Sequence, residues 1–207
     1  MTTPVCLAID VETMGAYVGS HVVALGLCLG DLDGNVLDRK LFCVTPKPTD
    51  AFEPLCKTEF WDKFPGLFES FCAQSKPAPV IYNELAEYLR ELDQKYPSIV
   101  ILSDNPAFDL SHVDYMLWKY NDRLPFRYSS RGKYQWVADW SERAYALGIS
   151  DEIKEKAASL MNLKEEDKHD PSKDAECIYY CSVLTQKVIE KGASVIKQAA
   201  LAELARL

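Results

Sequence analysis

Two apolar runs, residues 21–31 (HVVALGLCLGD) and 36–45 (VLDRKLFCVT), are separated only by Leu32-Asp33-Gly34-Asn35. Asp-Gly between two such runs is a strong hairpin signal, because glycine supplies the positive φ that a tight reversal needs. A further apolar run, residues 4–11, precedes them and reads as a buried strand. The chain therefore opens with three strands and an antiparallel start to its sheet. Thr58 is placed to cap a short helix. Residues 78–96 carry Val80, Ile81, Leu85, Tyr88, Leu89 and Leu92 at helical spacing and stop before Pro97. Residues 98–102 (SIVIL) read as a buried strand. Residues 108–120 read as a helix with Leu110, Val113, Met116 and Leu117 inward. The stretch 121–137 reads as irregular, followed by helices over about 138–147, 151–162, 173–191 and 193–207. This order predicts an α/β fold, a mixed sheet with helices on its faces. All 207 residues fit one domain, with the helix at 193–207 packed on it.

A hydrophobic share of 48% suffices for a core, and no apolar stretch reaches the roughly 20 residues of a membrane span. The N-terminus lacks a basic segment followed by an apolar one, so no secretory signal is expected. Seven cysteines without a CxxC pair point to a reduced, intracellular and cytoplasmic setting rather than to disulfides or zinc. The net charge of −8 argues against a general basic surface for nucleic acid. It hides a local strip, however. Lys119, Arg123, Arg127, Arg131 and Lys133 face one acid, Asp122, a balance of +4 that leaves −12 elsewhere. Aromatic residues interleave with these cations, a pattern suited to single strands.

Asp10 and Glu12 end the first apolar run two positions apart. In a strand, residues i and i+2 share a face, so both carboxylates point the same way just before Gly15 turns the chain. Acids held that close repel unless a cation lies between them, and hard Mg²⁺ or Mn²⁺ suits oxygen donors. After the strand at 98–102 comes Ser103-Asp104-Asn105-Pro106-Ala107-Phe108-Asp109. Asp109 falls in the first turn of a helix at the carboxyl end of a strand, where α/β sheets place ligands. Asp104 competes for that role, but its position before Asn-Pro reads as a turn or cap. The last candidates are His169, in a polar loop, and Asp174, opening a helix. An imidazole can take a proton from water near pH 7.

Asp10-x-Glu12 at a strand end, Asn105-x-x-Phe108-Asp109 after a later strand, and His169-x4-Asp174 opening a helix together resemble the three motifs of the DEDDh 3′–5′ exonucleases. Residues 9–15, followed by Thr58 and Phe60-Trp61, are similar to phage exonuclease A and its relatives. The resemblance implies a ribonuclease H-like fold with a five-stranded mixed sheet, its first three strands antiparallel. It implies hydrolysis of DNA or RNA from the 3′ end with two Mg²⁺ or Mn²⁺ ions, releasing nucleoside 5′-monophosphates. Asp10 would bridge both ions, Glu12 and Asp174 complete one site, and Asp109 hold the other; His169 would be the general base. Thr13, Met14 and Gly15 would line the terminal-nucleotide pocket, and Phe60, Trp61, Asn105, Arg127 and Arg131 would contact the substrate. The expected partner is a nucleic acid 3′ end, single-stranded, with no membrane involved. An acid-pair phosphatase would need Asp rather than Glu12 at the second position. An RNase H-type endonuclease would not call for His169. A binding module of the same fold without turnover is the remaining alternative.

Overall fold

A computed structural model describes residues 4–121, 134–164, 167 and 169–204. Five strands form one sheet: β1 (Val5–Thr13), β2 (Val22–Asp31), β3 (Val36–Cys43), β4 (Ile99–Leu102) and β5 (Tyr134–Ala138), in spatial order β3-β2-β1-β4-β5. β1 pairs antiparallel with β2, and β2 with β3, while β4 and β5 run parallel to β1. The β2–β3 reversal is fixed locally. Asp31 Oδ1 accepts the amide N–H groups of Asp33, Gly34 and Asn35, each at 2.9 Å, and Gly34 takes φ +103°.

Helices cover both faces: α1 (Pro54–Glu59), α2 (Leu67–Ala73), α3 (Ala78–Lys95), α4 (Pro106–Asn121), α5 (Trp140–Leu147), α6 (Ser150–Met161) and α7 (Pro171–Leu204). The alternation of β1 assigns the faces. Val5, Leu7, Ile9 and Val11 enter the core under α3 and α4, while Cys6 and Ala8 enter a second cluster under α5, α6 and α7. Asp10 and Glu12 continue the Cys6–Ala8 side to the strand's carboxyl end. The acids thus lie on the face that α7 covers. Among the described residues, no helix is long and apolar enough to cross a membrane.

Several expectations are corrected. The short helix begins at Pro54, so Thr58 lies inside it and its hydroxyl donates to the Pro54 carbonyl instead of capping. The inward face of α3 is Ala78, Ile81, Tyr82, Leu85, Ala86, Leu89 and Leu92; Val80 points to solvent and Tyr88 is only partly buried. β5 occupies the end of the stretch read as irregular and the first residue, Ala138, of the helix expected after it. The two helices expected at 173–191 and 193–207 are one, α7, running through Gly192 to Leu204. A single interior glycine costs about 1 kcal/mol, too little to end a long helix that packs on the sheet along its first half.

That packing depends on a glycine. A Cβ on Gly26 would stand 1.9 Å from the Pro171 carbonyl oxygen and 2.4 Å from the Ser172 nitrogen. Gly26 pairs with Asp10 across the β1–β2 ladder, so the bare backbone there is what lets the start of α7 approach the acids. Gly26→Ala is expected to push the start of α7 outward by about an ångström. Overpacking of this kind costs about 1–3 kcal/mol, and the misplacement should lower any activity of the site by about 10²-fold. Gly30→Ala is the control. Its Cβ would meet the Tyr179 ring at 2.2 Å, on the same helix but far from the acids. Comparable melting shifts with a much smaller activity loss for Gly30→Ala would confirm the assignment; equal activity losses would refute it.

Candidate metal centre and active site

Three elements converge at the carboxyl end of β1. β1 supplies Asp10 and Glu12, α4 supplies Asp109 in its first turn, and α7 supplies Asp174 in its first turn. The start of α7 is set by its sequence. Asp170 caps it, its carboxylate accepting from the Ser172 amide at 2.9 Å and the Ser172 hydroxyl at 2.6 Å, and Pro171 takes the first helical position. His169 immediately precedes this cap with φ +62°, a left-handed conformation uncommon outside glycine.

Ligand atoms of Glu12, His169 and Asp174 all lie within 4.8 Å of one another, and so do those of Asp10, Asp104 and Asp109. His169 Nδ1 is 3.9 Å from Glu12 Oε1. The two groups line one cleft of about 640 Å³, with Asn105, Phe108, Trp140, Lys154 and Cys177 on its walls. Asp109 is held in place by Ser103. The buried Ser103 hydroxyl donates to Asp109 Oδ2 and accepts the Asn105 amide at 3.0 Å. The Val11 amide also bonds the Asp109 carboxylate.

The electrostatics are those of crowded carboxylates, an arrangement that attracts cations. Burial pushes Asp10 well above the usual carboxylate range, and the charges of Glu12, Asp109, Asp174 and Asp104 push it further. Glu12 is raised for the same reasons, with Asp174 and Asp109 its main neighbours. Asp109 rises to about 7, chiefly by desolvation against the opposing Ser103 bond. Asp174 also reaches about 7, by burial and then the charges of Asp170 and Asp104. Mutually repelling carboxylates in two tight groups, with His169 in one of them, fit hard divalent ions. The donor set therefore suits the two ions that the sequence motifs imply.

A pH dependence follows. Asp109 and Asp174 hold protons in the folded chain up to about pH 7, but in the unfolded chain only up to about pH 4. Between those values the folded state binds more protons, so stability falls as pH rises through the window. The metal-free protein is expected to melt higher at pH 5 than at pH 8, by about 4–8 °C for each 2 kcal/mol of difference. Mn²⁺ should stabilise it more at pH 8, where it need not displace protons. A melting temperature flat from pH 5 to 8, with no greater Mn²⁺ effect at pH 8, would contradict this.

The other sequence candidates are placed as follows. Trp61 is not a stacking surface: it is buried in a cluster with Met14 and Phe71, and its Nε1–H donates to the Thr13 carbonyl at 2.9 Å. Thr13 and Met14 are buried too, and Thr13 Oγ1 donates to the Gly15 carbonyl at 2.7 Å. Gly15 is crowded by Glu53, whose Cβ would stand 3.0 Å from an added Cβ and whose Oε2 accepts the Ala16 amide. Phe60 packs edge-on against His169, with ring centroids 4.9 Å apart. Asn105 is exposed on the cleft wall. Arg127 and Arg131, with most of the cationic strip, lie outside the described residues. Asp104, read from sequence as the weaker competitor of Asp109, joins Asp10 and Asp109 as well. Two participants were not expected from sequence: Ser103, which fixes Asp109, and Phe64, whose ring centroid is 4.1 Å from that of His169. For Asp104 the signal was available, an acid at the end of a strand just like Asp10.

No protein-family model matches the sequence, and no curated protein matches it. The fold is shared with solved structures. The zinc-bound E. coli exonuclease I–single-stranded DNA complex aligns with a TM-score of 0.64 at 16% identity, over 91% of this chain and 41% of that one. E. coli exonuclease I with a 5cy-dT13 oligonucleotide gives 0.64 at 15% identity, over 89% and 41%. Cell-death related nuclease 4 gives 0.57 at 14% identity, over 91% and 65%. The chain thus spans about two fifths of exonuclease I. These likenesses show an α/β fold similar to that of exonuclease I.

Proposed function

We propose that the protein is a metal-dependent 3′–5′ exonuclease of the DEDDh type, acting on single-stranded DNA or RNA and releasing nucleoside 5′-monophosphates. The observation that carries this reading is the convergence of Asp10, Glu12, Asp109 and Asp174 from three elements, with His169 beside Glu12. The fold shared with two nucleases supports it. The finer likeness to phage exonuclease A rests on residues 9–15 and the Phe60-Trp61 pair alone. The free cysteines suit an intracellular setting.

Glu12 and Asp174 would hold one Mg²⁺ or Mn²⁺ ion and Asp109 the other, with Asp10 shared between them and Asp104 adding a fifth carboxylate. When bound, the ions would stabilise the charge that builds on the attacking and leaving oxygens. The chain's own part is to place these groups and move a proton. His169 takes the proton of the attacking water, Glu12 lying close enough to favour the imidazolium that results. Asp170, through its cap, keeps His169 and Asp174 in register. Ser103 keeps the Asp109 carboxylate aimed at the cleft.

One gel tests the proposal. A 5′-labelled DNA strand and its RNA counterpart are incubated with Mg²⁺, Mn²⁺ or EDTA. A ladder shortening from the 3′ end only in metal is the expected result, and it reads the sugar preference at once. Binding without shortening would make the chain a nucleic-acid-binding module; cleavage inside the strand would make it an endonuclease.

A further inference from the structure

From the cleft, α4 runs outward with Asp109 at its start, and its solvent-facing side is unusual for so acidic a chain. Between Ala107 and Trp118 every side chain it shows to solvent is uncharged, since Asp109, His112 and Asp114 are all buried. The first charge is Lys119, whose Nζ lies 5.5 Å from the Tyr115 ring centroid and 5.6 Å from that of Tyr120. The β1–β2 connection lies along the same side. The Tyr17 carbonyl oxygen is 3.1 Å from His112 Nε2, and Gly19 abuts the Tyr115 ring. Residues 13–20 carry no charge either. Three large apolar side chains stand out here, two of them aromatic: Tyr17 at 60%, Val18 at 55% and Trp118 at 52% exposure. Phe108 on the cleft wall touches His112, and Tyr115 touches Trp118, with centroids 4.6 and 6.4 Å apart. Two ring pairs, Phe108–His112 nearer the acids and Tyr115–Trp118 farther out, thus mark an aromatic lane along α4, with His112 buried beneath it.

We infer that this lane carries the single strand behind its 3′ end, with Trp118 and Tyr17 as stacking platforms for upstream bases and Lys119 as a phosphate contact. The inference rests on the exonuclease reading for where the terminal nucleotide sits. Nine residues of helix separate Asp109 from Trp118, about 13 Å. Stacked bases advance about 3.4 Å each, so Trp118 meets roughly the fourth nucleotide. Flat aromatic faces accept any base, and an uncharged corridor does not repel phosphates. Binding along it should therefore depend on strand length and little on sequence.

The test is fluorescence anisotropy with 5′-labelled oligothymidylates of two and eight nucleotides, in EDTA so that nothing is cut. The natural protein should hold the octamer far more tightly than the dimer. Trp118→Ala should weaken octamer binding about 5- to 150-fold, the range expected for one lost stacked base, and shift dimer binding by less than twofold. Tyr17→Ala should act in the same direction, and Trp118→Phe should recover most of the affinity. Octamer binding by Trp118→Ala within twofold of the natural protein would overturn the lane. So would a concentration-dependent dimer that Trp118→Ala dissociates, because the patch would then be covered by a second copy. Digestion by the natural protein in Mn²⁺ is scored separately. Turnover with unchanged octamer binding in Trp118→Ala sinks the lane alone, whereas length-dependent binding without turnover sinks the exonuclease alone.

Discussion

Asp10→Asn is expected to abolish metal-dependent turnover, by at least about 10³-fold, while raising the melting temperature of the metal-free protein. The first effect follows from position. Asp10 feels the charges of Glu12, Asp109, Asp174 and Asp104, and its carboxylate lies close to those of Asp104 and Asp109. An amide keeps its shape but removes the charge that a shared ion requires, and several kcal/mol of transition-state stabilisation go with the ion. The second effect distinguishes this site from an ordinary core polar residue. A side chain held near four like charges opposes folding when no cation is present, so neutralising it relieves the chain. Rate assays in Mn²⁺ and melting curves in EDTA check both halves. Activity above about a tenth of normal, or a lower metal-free melting temperature, would remove Asp10 from the centre.

The acids at the end of β1 were legible because period two is a local rule: Cys6, Ala8, Asp10 and Glu12 share a face in any strand. The hairpin at Asp33-Gly34 was legible for the same reason. Trp61 was not, because its partner is the Thr13 carbonyl, 48 positions earlier, and only the folded chain brings them together. Asp109 was ranked above Asp104, whose place before Asn-Pro reads as a turn. Both follow β4, one at the turn and one on α4, and the structure sets both against Asp10. The inward face of α3 was misread by a residue or so, since Tyr82 fills the core where Val80 was expected. Gly26 carried no visible signal in an apolar strand. Its meaning lies in Pro171, which the sequence places 145 positions away.

His169→Ala is expected to lower the turnover rate by about 10²–10⁴-fold, the range for loss of a positioned general base, with little change in KM. The imidazole contacts protein on two sides before any substrate arrives. Phe60 meets it edge-on and Phe64 lies tilted at 4.1 Å, while Nδ1 stays 3.9 Å from Glu12. Packing of this kind fixes the ring's direction, which a loop side chain with 34% exposure would otherwise lack. The backbone at this residue has a cost of its own. At φ +62° a residue with a Cβ sits about 1–2 kcal/mol above glycine. His169→Gly should therefore fold more stably than His169→Ala by about 1 kcal/mol, even though both lack the base. The pair separates chemistry from conformation. Equal loss of rate with unequal melting temperatures assigns the defect to the missing imidazole, and added free imidazole should restore part of the rate by entering the space between the two phenyl rings. If His169→Gly turns over at nearly the normal rate while His169→Ala does not, the histidine acts through the backbone it shapes, and another group accepts the proton.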